Sequence, residues 1–200
     1  MKEIKSLNKL IDCFRLFPSV GEKSAERMAY ALLDMSADKI DELETSIKDA
    51  STKIHQCPIC GLLTEDKICG ICSNPNRDHS ICIVLAYPKD VLAFEKLENY
   101  HGVYHVLGGV ISSLHGTGPE NLKIDELRER INKEGIKEII IATNPNMEGE
   151  TTALYLTNEL KDMDIKISRL AYGIPMGGQL DYIDELTMSK AIDGRQSLKK

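Results

Sequence analysis

Hydrophobic positions in the first quarter of the chain recur at intervals of three and four. Leu7, Leu10, Ile11, Phe14 and Phe17 form one such series, which predicts a helix with a buried face. The Pro18-Ser19-Val20-Gly21 break ends it in a tight turn, and a second helix carries Ala25, Met28, Ala29 and Leu32 on one stripe. A third is expected from Ser36, a good N-cap residue, with Ile40, Leu43, Ile47 and Ile54 as its apolar ridge. From Ser80 the pattern changes. Residues 81–86 are a short, fully apolar run suited to a buried parallel strand, and 103–107, 138–142 and 165–171 read as three more. Helical segments are expected between them, around Val91, Leu92 and Leu97, over 124–134 with Gly135 as the stop, and over 150–160. Such alternation implies a parallel sheet covered by helices. Beyond Tyr172 the chain is glycine-rich and then helical, and it closes on Lys199-Lys200. The pattern describes a multidomain α+β protein: a helical domain at 1–54, a cysteine-rich module at 55–78, an α/β domain at 79–174 and a C-terminal helical segment at 175–200.

Two hundred residues with 42% hydrophobic content suffice for cores in one or two domains. The longest apolar runs, 81–86 and 139–142, fall far short of the ~20 residues a membrane span needs. The opening Met1-Lys2-Glu3-Ile4-Lys5 lacks the apolar stretch of a signal peptide. A cytoplasmic protein without membrane association is the expectation. Twenty-five basic against 31 acidic residues give a net charge of −6, which excludes a chain coated in basic surface. It leaves room for a local Lys/Arg cluster that holds phosphates, because distant acidic groups are screened beyond ~8 Å at physiological salt. No Trp and only three Phe disfavour an aromatic stacking platform for single strands, although seven Tyr keep one open.

Residues 16–33, LFPSVGEKSAERMAYALL, resemble a helix-hairpin-helix module. The amides of such a turn and of the following helical turn have no intrahelical partner, and with the helix dipole they favour a phosphate at Gly21. Lys23 and Arg27 lie one turn apart on one side and can reach neighbouring phosphates. Contacts of this kind hold DNA without reading bases, so binding is expected to be sequence-independent and salt-sensitive. An ordinary helical hairpin with solvated Lys and Arg is the alternative. The usual module has glycine at both hairpin positions, whereas Ser19 occupies the first here and would be strained if that position needs a positive φ.

Four of the six cysteines form a C-x2-C-x8-C-x2-C pattern: Cys57, Cys60, Cys69 and Cys72. Two thiolate pairs on short turns can close a tetrahedral Zn²⁺ site with every position filled by sulfur, which makes one structural zinc per chain the expectation. In a segment this short a core of its own is impossible, and metal would substitute for one. Two disulfides or a redox Cys-x-x-Cys pair are the alternatives, disfavoured in a reducing compartment. Cys13 and Cys82 are expected to be small buried hydrophobes. His55, His79, His101, His105 and His115 show no partner pattern and read as structural or surface residues.

Residues 139–150, IIIATNPNMEGE, resemble the Toprim signature, a strand ending in an Asp-x-Asp pair followed by a Glu-Gly-Glu step. In the active enzymes those aspartates, with a glutamate after the first strand, hold Mg²⁺, which demands hard anionic oxygens. Here the pair is Asn144 and Asn146, and Leu85-Ala86-Tyr87-Pro88 follows the first strand without any glutamate. Asp90, Glu148 and Glu150 remain, each also explicable as an acid favoured near a helix N-terminus. The expectation is a retained fold with a degenerate site and no catalysis. The alternative is a Mg²⁺-dependent nuclease or topoisomerase-like enzyme using those three carboxylates.

Hairpin, zinc module and Toprim-like domain in this order resemble the RecR family of recombination mediators. Residues 104–110 (YHVLGGV), 116–120 (GTGPE) and 169–180 (RLAYGIPMGGQL) extend the resemblance over nearly the whole chain, and the neutral Asn-x-Asn pair matches the family pattern. Departures are Ser19 for glycine, Ala86 and Tyr87 where an acidic residue is typical, Met147, and Gln179 for glutamate. The resemblance implies a non-enzymatic role in recombinational DNA repair. It further implies a homotetrameric ring around DNA, closed through N-terminal hairpins and C-terminal regions, that acts with RecO and RecF to help RecA load at gaps. A zinc-ribbon protein that binds only other proteins is a third possibility.

Overall fold

The computed structural model describes residues 4–197; Met1, Lys2, Glu3, Leu198 and the expected lysine end at Lys199-Lys200 lie outside the described residues. The chain divides into two compact units after Ile54. Three helices make the first: α1 (Lys5–Arg15), α2 (Glu22–Leu33) and α3 (Ala37–Lys53). Ala25 and Ala29 are fully buried on α2, small enough to let it pack closely on α1. The expected apolar ridges are covered only in part. Leu7, Leu10, Ile11 and Phe14 are half-buried, Leu43 and Ile47 are exposed, and Phe17 and Ile54 lie beyond the ends of their helices. Ser36 occupies the N-cap position of α3, but its side chain makes no capping bond. Cys13 is exposed rather than buried, because it falls off the Leu7–Leu10–Ile11–Phe14 stripe of α1.

The second unit opens with two short antiparallel strands, β1 (His55–Gln56) and β2 (Leu63–Thr64). Then come β3 (Asp78–Leu85), the single-turn α4 (Val91–Phe94), β4 (Gly102–Val106), α5 (Ile124–Glu134), β5 (Glu138–Ile141), α6 (Met147–Leu160), β6 (Lys166–Arg169) and α7 (Glu185–Asp193). Gly135, at φ +68°, ends α5 in the left-handed conformation that its lack of Cβ permits. β3 to β6 form one parallel sheet in the order β4-β3-β5-β6. The register sets Cys82 beside Val103 and Ile139, and Val84 beside His105 and Ile141.

Strand alternation therefore gives two apolar faces. Cys82, Val84, Val103, Ile139 and Ile141 pack on Leu127 and Ile131 of α5 and on Ala153, Leu156 and Leu160 of α6. The opposite face, Ile83, Leu85, Tyr104 and Val106, packs on Cys57, Cys60, Leu62 and Cys69, with Val91 and Phe94 beside them. The cysteine module stands where a second helical layer would. It lacks a core of its own, as its length requires, and shares that of the sheet. Among the described residues no helix is long and apolar enough to cross a membrane.

Candidate functional site

At the hairpin, Ser19 has φ +65°, the one positive φ on a non-glycine residue among those described. This is the position at which the resembled module carries glycine, and a left-handed serine costs about 1–2 kcal/mol. Gly21 is the N-cap of α2 with an ordinary extended backbone (φ −81°), and a Cβ there would meet nothing within 4 Å. Neither conformation nor space demands glycine at 21. Its effect is exposure: no side chain caps α2, so the leading amides stay open to an incoming anion. Lys23 and Arg27 are both exposed on α2. Lys23 is not solitary, because its ammonium donates to Glu26 at 3.1 Å, which holds its pKa above the usual lysine value. Glu26 was legible only as one more acid; its spacing of three from Lys23 was the available signal.

The four cysteines converge as the spacing requires. Their ligand sulfurs lie within 4.8 Å of one another, and Cys60 and Cys69 are 3.5 Å apart. Sulfurs 2.3 Å from a tetrahedral zinc stand about 3.8 Å apart, so the cluster fits one structural zinc. No disulfide joins them, and the closeness of all four sulfurs to one another suits a single shared ion better than two separate pairs. Each knuckle is shaped by its own backbone. The Gly61 amide donates to the Cys57 carbonyl at 2.9 Å and Gly61 takes φ +76°, while the Ser73 amide donates to the Cys69 carbonyl at 3.1 Å. Amides also face the sulfurs, from Cys69 to Cys57 and from Cys72 to Cys69, each at 3.5 Å. The Cys69 thiol is driven down by its thiol and amide donors, whereas its thiol neighbours push Cys60 and Cys72 up. Val106 of the edge strand donates to the Cys60 carbonyl at 2.7 Å and joins the module to the sheet.

At the C-terminal ends of the strands, the acidic residues are each engaged elsewhere. Asn146 caps α6 by accepting from the Gly149 amide at 2.9 Å, which starts that helix three residues before the position expected from the sequence. A Cβ on Gly149 would overlap the carbonyl oxygen of Asn144, so the glycine of the Glu148-Gly149-Glu150 step is required by packing. Asp90 accepts from the Tyr87 amide at 3.1 Å. Glu148 accepts from the Ser112 hydroxyl, with His115 Nδ1 at 3.6 Å. Glu150 accepts from Arg169 and from the Tyr172 hydroxyl. Burial works to raise the Glu150 pKa, but these donors outweigh it and hold the carboxyl below its ordinary value. The structure does not gather Asp90, Glu148 and Glu150 into one ligand set. Among the described residues, the four cysteines are the group of His, Cys, Asp and Glu close enough to hold an ion.

Several participants had no separate signal in the sequence. Arg169 and Tyr172 were visible only as part of a family-like run, and Ser112 as one of two adjacent serines. His105 is buried, with Nε2 2.8 Å from the Lys123 carbonyl, and desolvation pushes its pKa down to about 4.

Comparison with known families matches four segments in chain order. Residues 7–51 match the RecR helix-hairpin-helix, 54–74 the RecR four-cysteine zinc finger domain, 80–171 the Toprim domain and 173–196 the RecR C-terminal region.

Proposed function

Because the chain belongs to the RecR family, we propose that it is a DNA clamp which loads recombination proteins and performs no chemistry on the DNA. The family modules support a recombination-repair mediator role and fit DNA binding. In the finer reading, four copies close into a ring around DNA in the cytoplasm. With RecO and RecF, the ring helps RecA displace single-strand-binding protein at gaps. The observation that carries this reading is the uncapped start of α2 at Gly21 with Lys23 and Arg27 exposed beside it. Open amides and two cations suit phosphate and offer nothing that reads a base edge.

Assembly draws support from apolar surface at both ends of the chain. Leu16, Phe17 and Ile47 are exposed in the helical unit, as are Leu180, Tyr182, Leu186 and Ile192 near the C-terminus. The net charge of −6 per chain adds a reason for a ring, since one hairpin must hold DNA against an acidic background. Four linked weak sites act as one strong one.

The test is the Lys23→Ala/Arg27→Ala protein. DNA retention at moderate salt is lost, and the slope of log affinity against log salt becomes shallower by about one for each phosphate contact removed. Oligomer mass and zinc content stay at wild-type values. Undiminished retention contradicts the reading, and so does strand cleavage or relaxation that depends on magnesium and survives removal of contaminants.

A further inference from the structure

A zinc ion held by four thiolates carries a net charge of −2, and three of these cysteines are buried. Such a site needs donors around it to offset that charge. The local chain supplies amides to Cys57 and Cys69. The donor to Cys72 comes from 58 residues away: Arg130 Nη2 lies 3.9 Å from the Cys72 sulfur.

Arg130 is an unusual residue to find there. Its side chain is only 4% exposed, and an arginine is rarely buried unless its charge and all its N–H groups are used. Each of its three nitrogens finds a partner, and the partners come from three elements. Nη1 donates to the Tyr104 carbonyl of the edge strand at 2.5 Å, Nε to Glu134 one turn along α5 at 3.0 Å, and Nη2 faces Cys72. Tyr104 and Val106 point their backbone groups to the same side of β4. One is taken by Arg130 and the other by the Cys60 carbonyl, so the module and α5 together cover the open edge of the sheet. Arg130 carries a single positive charge, which its fork shares between Glu134 through Nε and the Cys72 sulfur through Nη2.

We propose that Arg130 is a positioning residue for the zinc site, which orients the Cys72 sulfur, offsets the charge of the tetrathiolate and ties metal occupancy to β4 and α5. The zinc module then is not an independent finger, and loss of metal is felt in the α/β domain.

The experiment uses the full-length protein, stripped with a chelator and titrated with zinc against a chromophoric competitor. Arg130→Gln lowers zinc affinity 10- to 100-fold, the usual effect of removing an outer-shell partner, while Glu134→Gln stays within threefold of wild type. In the cobalt-substituted protein, the sulfur-to-metal charge-transfer band shifts in Arg130→Gln and not in Glu134→Gln, a readout that general destabilisation does not move. Hydrogen exchange of the wild-type chain with and without zinc decides the matter if Arg130→Gln does not fold. Metal removal then speeds exchange at β4 and α5 as well as in the cysteine loops. The proposal is overturned by an Arg130→Gln protein that binds zinc within threefold of wild type, by a tenfold loss in Glu134→Gln, or by exchange that changes in the cysteine loops alone.

Discussion

Ser19 sits left-handed where only glycine is unstrained, and the consequence is measurable. Ser19→Gly is expected to raise the stability of the helical unit by about 1 kcal/mol in chemical denaturation; no change, or a loss, contradicts the strain. In the first turns of α2, Glu26 holds the Lys23 ammonium at 3.1 Å; if Lys23 contacts phosphate as proposed, Glu26→Gln tightens DNA binding, most at low salt, where the exposed pair is strongest. His105 carries a pH dependence. An unfolded histidine titrates near 6.5, so below that value the unfolded chain takes up a proton which the folded chain refuses until about pH 4. Stability is full above pH 6.5 and falls by roughly 3 kcal/mol on the way down to pH 4. The curve of a His105→Gln protein is flatter by that amount over the same interval. The zinc ligands were fully legible in the sequence, since pairwise spacing states their chemistry. Cys13 was not, because a cysteine in an apolar segment can face either way and only the helix phase of its neighbours decides.

For the elements, alternation from β3 onward was written plainly in the apolar runs, and all four parallel strands lie where those runs placed them, with ends shifted by a few residues. The start of α6 was less legible, because it depends on Asn146 accepting the Gly149 amide and on Gly149 clearing the Asn144 carbonyl. Gly149→Ala is therefore expected to destabilise the second unit by about 2 kcal/mol or more, on the order of other steric clashes in packed interiors. A protein of unchanged melting temperature contradicts the close approach. The partners of the retained acids were hidden in the sequence because they come from distant segments: Ser112 for Glu148, and Arg169 with Tyr172 for Glu150. The residue types that resemble a metal-binding step here join α6 to the segment after β4 through Glu148, and to β6 and the chain beyond it through Glu150. The expectation of a buried face on α1 and α3 was met only in part, since periodicity shows that a face is apolar and not what covers it.

At the scale of the molecule, the sheet is walled on one side by α5 and α6 and on the other by the cysteine module, so metal and sheet share one core. Apolar side chains remain outside at the helical unit and at the C-terminal segment, the two regions that the ring reading uses for closure. The expectation of a ring rests on the family resemblance alone. A single chain's hydrophobic pattern does not distinguish a face that meets its own fold from one that meets a second copy. The most direct measurement is retention on nicked circular DNA against the same DNA linearised, scored by sedimentation after a jump to high salt. A closed ring of four stays on the circle when its ionic contacts are screened and slides from the ends of the linear form. Equal, salt-sensitive release from both, or a bound species of single-chain mass, would contradict the account.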